Sequence, residues 1–146
     1  FKNLERVNIP NSVTEIEDEA FSDCPNLTFI NIPESIENTK LGARVFKNCK
    51  KLSYIQIPSK LTKIQDATFK GDKNLSSVVL GHSLKVIGKE AFYGCESLTY
   101  IEIPPNVKTL DVKAFHHCSK LTQMYFLGKK KPKIEKKAVN WKVKEF

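Results

Sequence analysis

The residues of this chain that could do chemistry are four cysteines, three histidines and a lysine-rich C-terminal run. Thiolates and imidazoles hold zinc, and a thiolate beside a base is a nucleophile. Cys24, Cys49, Cys95 and Cys118 each stand three residues after a phenylalanine, namely Phe21, Phe46, Phe92 and Phe115. Such periodic placement points to one small apolar slot used repeatedly, where a free cysteine serves as a buried hydrophobe. Stacked copies would bring Cys24 near Cys49 and Cys95 near Cys118 at about 4.8 Å, within the Cα range of a disulfide. Side chains stacked in register point the same way rather than at each other, so the expectation is reduced, buried thiols. His116 and His117 adjoin Cys118, but neighbours on a turn diverge, and no further cysteine pair or carboxylate stands at zinc spacing. No serine sits in a nucleophile-elbow motif, and the carboxylates are scattered. The chain is therefore read as non-enzymatic, with no metal and no cofactor.

The lysines offer a different chemistry. Residues 129–146 carry eight lysines against two glutamates, so +6 of the net +8 lies there. Lys129, Lys130, Lys131, Lys133, Lys136 and Lys137 form a candidate polyanion site. The competing reading is a solvated end face. No recognition helix, phosphate-binding glycine loop or base-stacking motif accompanies the run, so nucleic acid is not an expected partner. Ile134, Ala138, Val139 and Trp141 interleave with the lysines, which predicts a packed segment.

The elements that position these residues repeat. Leu4, Leu27, Leu52, Leu75, Leu98 and Leu121 recur at intervals of 23 or 25 residues, and Phe21, Phe46, Phe69, Phe92 and Phe115 follow the same period. Each unit opens as L-x-x-I-x-I-P, as in Leu52-Ser-Tyr-Ile-Gln-Ile-Pro58. β-Branched residues at period two predict a short strand, and the proline ends its ladder. A second apolar pair, such as Leu61 and Ile64, forms a second strand or a turn. The A-F-x-x-C-x-x-L part suits a helical or 3₁₀ turn. One such unit cannot bury its own apolar face, whereas stacked units share a continuous core. Asp72 holds the cysteine slot of the third unit, and an unpaired charge there is costly. Lys70–Lys73 is therefore expected to swing outward. Gly81-His82 replaces the strand-ending Ile-Pro turn, and two extra residues fall somewhere in Glu37–Arg44.

These columns resemble the BspA-like leucine-rich repeat; the unit from Leu98 through Val107, Leu110, Ala114, Phe115 and Cys118 to Leu121 is closest to the pattern. The resemblance covers about residues 4 to 127. It implies a leucine-rich-repeat, α/β-type repeat solenoid, stacked right-handed, with short parallel strands and little regular helix. It also implies a surface or secreted protein engaged in adhesion, with an extracellular or cell-surface location.

The whole chain, 1–146, is read as one solenoid domain with repeats at about 4–26, 27–51, 52–74, 75–97, 98–120 and a degenerate 121–146. It opens inside a repeat, as a fragment of a longer protein would. No run reaches the roughly 20 apolar residues of a membrane span. If the paired isoleucines face inward, strand alternation turns Phe29, Asn31, Tyr54, Gln56, Tyr100, Glu102 and Tyr125 outward. Aromatics beside amides suit contact with a protein or a glycan. The expected function is binding through this face, with a passive spacer as the alternative.

Overall fold

The computed structural model describes residues 1–140 and 142–146; Trp141 lies outside the described residues. In chain order the strands are β1 (Arg6–Val7), β2 (Phe29–Ile30), β3 (Tyr54–Gln56), β4 (Lys63–Ile64), β5 (Ser77–Val79), β6 (Val86–Ile87), β7 (Tyr100–Ile103), β8 (Thr109–Leu110), β9 (Gln123–Phe126), β10 (Lys133–Ile134) and β11 (Lys144–Glu145). Every pairing is parallel and joins equivalent positions of neighbouring units, as in Ile55 with Val78 and Ile101 with Met124. The main strands pair as β1–β2, β3–β5 and β7–β9–β11. The second apolar pair does form a strand. β4, β6, β8 and β10 make a second sheet in that spatial order, and bridges at Ile16–Leu41 and Asn38–Leu61 carry the same pairing to earlier units. The chain is thus a solenoid of parallel strands and turns.

Apolar residues at fixed offsets create the core between the two sheets and the turns. Ile30, Ile32, Ile55, Ile57, Ile101 and Ile103 are all buried. Phe46, Phe69, Phe92 and Phe115 have no exposed surface. From Phe21 to Phe115 the rings form one stack, with centroids 6.0, 5.4, 5.2 and 5.1 Å apart and planes within 13° of parallel. Such separations are those of offset aromatic pairs. The period of the phenylalanines in sequence becomes a continuous column in space.

The segment around each phenylalanine differs from the helical or 3₁₀ reading. It is a chain of tight turns with left-handed residues on either side of the ring. Glu19, Arg44, Ala67, Glu90 and Lys113 have φ of 55° to 62°, and so do Asp23, Asn48 and His117. A left-handed non-glycine residue is unfavourable by itself. Here that conformation aims alternate N–H groups at the next unit. Arg44, Phe46 and Asn48 donate to the carbonyls of Asp66, Thr68 and Lys70 at 3.0, 2.9 and 2.8 Å. A third inter-unit ladder results, and its hydrogen bonds offset the backbone cost.

The same ladder overturns the expected outward swing of Lys70–Lys73. Phe69 and Gly71 donate to Ala91 and Tyr93, both at 2.8 Å, so this backbone cannot leave the stack. Asp72 is fully buried in the cysteine slot. The extra residues of the second unit lie between Ile36 and Leu41. The Ile16–Leu41 bridge restores register after them, and the loop at Asn38 bridges to Leu61 of the next unit.

Candidate functional site

Strand alternation turns every second residue of the main strands away from the core, with Phe29, Asn31 and Tyr125 half-buried. Tyr54 and Gln56 are exposed on either side of buried Ile55, and Tyr100 and Glu102 on either side of buried Ile101. Parallel register places Tyr54 beside Ser77, Tyr100 beside Gln123 and Glu102 beside Tyr125. Tyr54, Val79 and Tyr100 are 40%, 47% and 52% exposed, which is high for large apolar side chains next to a closed core.

The face holds two shallow clefts. One, of about 300 Å³, is lined by residues that include Phe29, Asn31, Glu34, Tyr54 and Gln56. The other, of about 200 Å³, is lined by residues that include Ser77, Val79, His82, Tyr100, Glu102 and Leu127. Six of the seven sequence-predicted contact residues therefore gather in two places. Tyr125 lies in neither cleft. Its ring stacks on Phe146 at 5.1 Å and meets Tyr100 edge-on at 6.4 Å.

The polar groups of the face are already partly engaged. Tyr54 Oη donates to Gln56 Oε1 at 3.1 Å. Asn31 is more heavily committed: its Nδ2 donates to Ile9 O at 2.8 Å, and its Oδ1 accepts from Ile9 N–H at 2.6 Å. That side chain extends the β1–β2 ladder beyond the last backbone pair. Arg6 lies over the Phe29 ring at 4.8 Å, a cation–π contact. Alternation in the sequence already turns Arg6 and Val79 outward, although neither is among the predicted contact residues, whereas Leu127 and Phe146 were not foreseen on this face.

The six lysines lie in separate places. Lys129, Lys130 and Lys131 lie in the loop between β9 and β10, whereas Lys136 and Lys137 lie in the turn that continues the phenylalanine side. There Lys113 N–H donates to Lys136 O at 3.1 Å. Lys131 pairs with Glu145, and Lys133 pairs with Glu135 at 3.0 Å.

The cysteines are free and buried. The thiols of Cys49, Cys95 and Cys118 donate to the carbonyls of Phe21, Phe69 and Phe92 in the preceding units, at 3.2, 3.3 and 3.1 Å. Burial pushes the Cys118 thiol up to about 12. Burial, reinforced by Asp72, raises Cys49, and burial with Cys118 and Asp72 raises Cys95. These are inert structural thiols. His116 and His117 stand close, with ring centroids 4.2 Å apart, and Tyr93 meets both. Desolvation and then the neighbouring His117 lower the His116 pKa. Among the described residues no three His, Cys, Asp or Glu side chains converge as metal ligands.

A stack of short parallel strands with a leucine, isoleucine and phenylalanine core and an open strand face defines a leucine-rich-repeat solenoid. Residues 1–122 match the BspA type leucine rich repeat region in six copies, and the chain belongs to that family. Solved structures are similar to it. A leucine-rich repeat protein of T. pallidum is 29% identical with a TM-score of 0.79, over 84% of this chain and 59% of that one. A leucine rich cell surface protein of Faecalibacterium prausnitzii is 32% identical with a TM-score of 0.80, over 86% of this chain and 32% of that one. A leucine-rich repeat protein of Bacteroides ovatus is 32% identical with a TM-score of 0.72, over 86% and 40% respectively. The chain thus spans less than two thirds of each of these proteins. No curated protein shows significant similarity to it.

Proposed function

We propose that this chain is a non-enzymatic interaction module of a surface-displayed or secreted protein, and that it adheres to a protein or glycan partner through the outward face of its main strands. The observation that carries this reading is the exposed row of Tyr54, Val79 and Tyr100 beside two clefts, held on a fully packed core. Large rigid side chains of this kind lose little entropy on binding and anchor interfaces. The likeness to a leucine rich cell surface protein supports the location.

Size sets the expected strength. A standard interface buries about 800 Å² on each partner, and six rungs at about 4.8 Å span only about 24 Å. A single module then binds weakly, and repetition or linkage supplies avidity. The test is retention of the purified chain on immobilised extracellular-matrix proteins and on host-cell surfaces. The Tyr54→Ser/Tyr100→Ser double variant is expected to lose most of the signal at unchanged stability. Equal signal from wild type and variant would assign binding elsewhere, and no signal from either would favour a passive spacer.

A further inference from the structure

Another recess lies off the strand face, where the loop between β7 and β8 meets the loop between β9 and β10. It has a volume of about 420 Å³, and its lining includes Pro105, Asn106, Lys108, Lys130 and Pro132. We propose that this recess is a binding site for a sulfated polysaccharide, with Lys108 and Lys130 as the charged arms. The site is independent of the strand-face reading.

Two adjacent units build it, and their register fixes it. Lys133 N–H donates to Lys108 O at 2.8 Å, so the lysine-bearing loop is tied to the preceding rung. Gly128 brings the loops together, because a Cβ there would lie 2.6 Å from Pro105 O. Lys131 also lines the recess but is paired with Glu145. Lys108 and Lys130 are exposed, and among the described residues neither has an acidic partner. Lys85 extends the positive row by one rung, since Lys108 N–H donates to Lys85 O at 2.8 Å. No carboxylate lines the recess.

The shape and lining select the ligand class. Unpaired ammonium groups at intervals of a rung match a chain carrying repeated anionic groups. The exposed pyrrolidine ring of Pro105 offers an apolar surface to the C–H face of a sugar, with buried Pro132 forming the wall behind it. Asn106 offers an amide to its hydroxyls. No aromatic ring lines the recess, so it lacks the stacking platforms that single-stranded nucleic acid requires. A concave recess between loops also suits one polymer chain better than a flat bilayer.

The experiment is binding of the full chain to heparin, to a single-stranded oligonucleotide and to phosphatidylserine vesicles, each across a salt series. Heparin is expected to bind most tightly. Lys108→Glu/Lys130→Glu is expected to weaken it at least tenfold. Lys136→Glu/Lys137→Glu, with the same change of net charge in the opposite turn, is expected to weaken it less than threefold. All four positions are exposed, so thermal unfolding should be unchanged. Equal losses from the two variants would mean diffuse charge and overturn the site. Absence of heparin binding, or oligonucleotide or vesicle binding at least as tight, would overturn the ligand class.

Discussion

Asp72 Oδ1 accepts a hydrogen bond from Cys49 N–H at 2.8 Å, wholly inside the stack. Its Oδ2 has no partner, and among the described residues Asp72 joins no ion pair. Its titratable neighbours are the thiols of Cys49 and Cys95. Burial, only partly offset by the Cys49 N–H, raises the carboxyl well above the ordinary range. The unfolded chain ionises it above about pH 4, so folding holds a proton that the unfolded chain releases. The Asp72 contribution to stability is therefore fully present below about pH 4 and is lost as pH rises toward the folded-state value, by up to about 1.4 kcal/mol per pH unit. Denaturant unfolding between pH 4 and pH 8 should show this slope in wild type and lose it in Asp72→Asn. By the register of the other thiols, Asp72→Cys places a donor opposite Phe46 O and should be more stable than wild type at pH 7. A flat wild-type profile would contradict the account.

The phenylalanine column should dominate stability. Phe69→Ala removes a ring packed between Phe46 and Phe92, and it should cost about 3–5 kcal/mol in denaturant unfolding. Phe21→Ala should cost clearly less, because Phe21 is only partly buried and stacks on one described ring. A loss under about 1 kcal/mol at Phe69 would contradict a shared core.

Asn31 should prove to be part of the frame as well as of the face. Asn31→Ala leaves both Ile9 backbone groups without that amide and should cost about 1–3 kcal/mol. Gln56→Ala removes only an exposed hydrogen bond from Tyr54 and should change stability by less than about 0.5 kcal/mol. Equal effects would show that the Asn31 amide is not structural.

The thiols should be unreactive until the chain opens. Without reductant, a thiol reagent should find four thiols after unfolding and almost none before. Two thiols or fewer in the unfolded chain would reveal a disulfide.

The strands and the core were legible because their signals are local and periodic: paired isoleucines, a terminating proline and a phenylalanine every 23 or 25 residues. The turn ladder was not. Its left-handed positions before each ring carry Glu, Arg, Ala and Lys, which advertise no such conformation, although those after the ring carry Asp, Asn, Gly and His, which favour it. Only contact with the next unit selects it. Asp72 misled for the same reason, since its own polarity argued outward while backbone bonds at Phe69 and Gly71 held it in. The outward face followed from alternation alone, but the Asn31 bond to Ile9 and the Phe146 stack on Tyr125 join parts far apart in sequence. The lysine run looked like one patch. Folding divides it, because a few residues separate one loop from the turn on the other side.

The central claim is that partners bind on the open strand face. Hydrogen exchange of the chain, free and bound to a partner from the adhesion assay, tests this directly. Added protection is predicted in the main strands between Phe29 and Glu102 and at the loops bordering the two clefts, with the phenylalanine turns unchanged. Protection confined to those turns, or to residues 129–137, would contradict it.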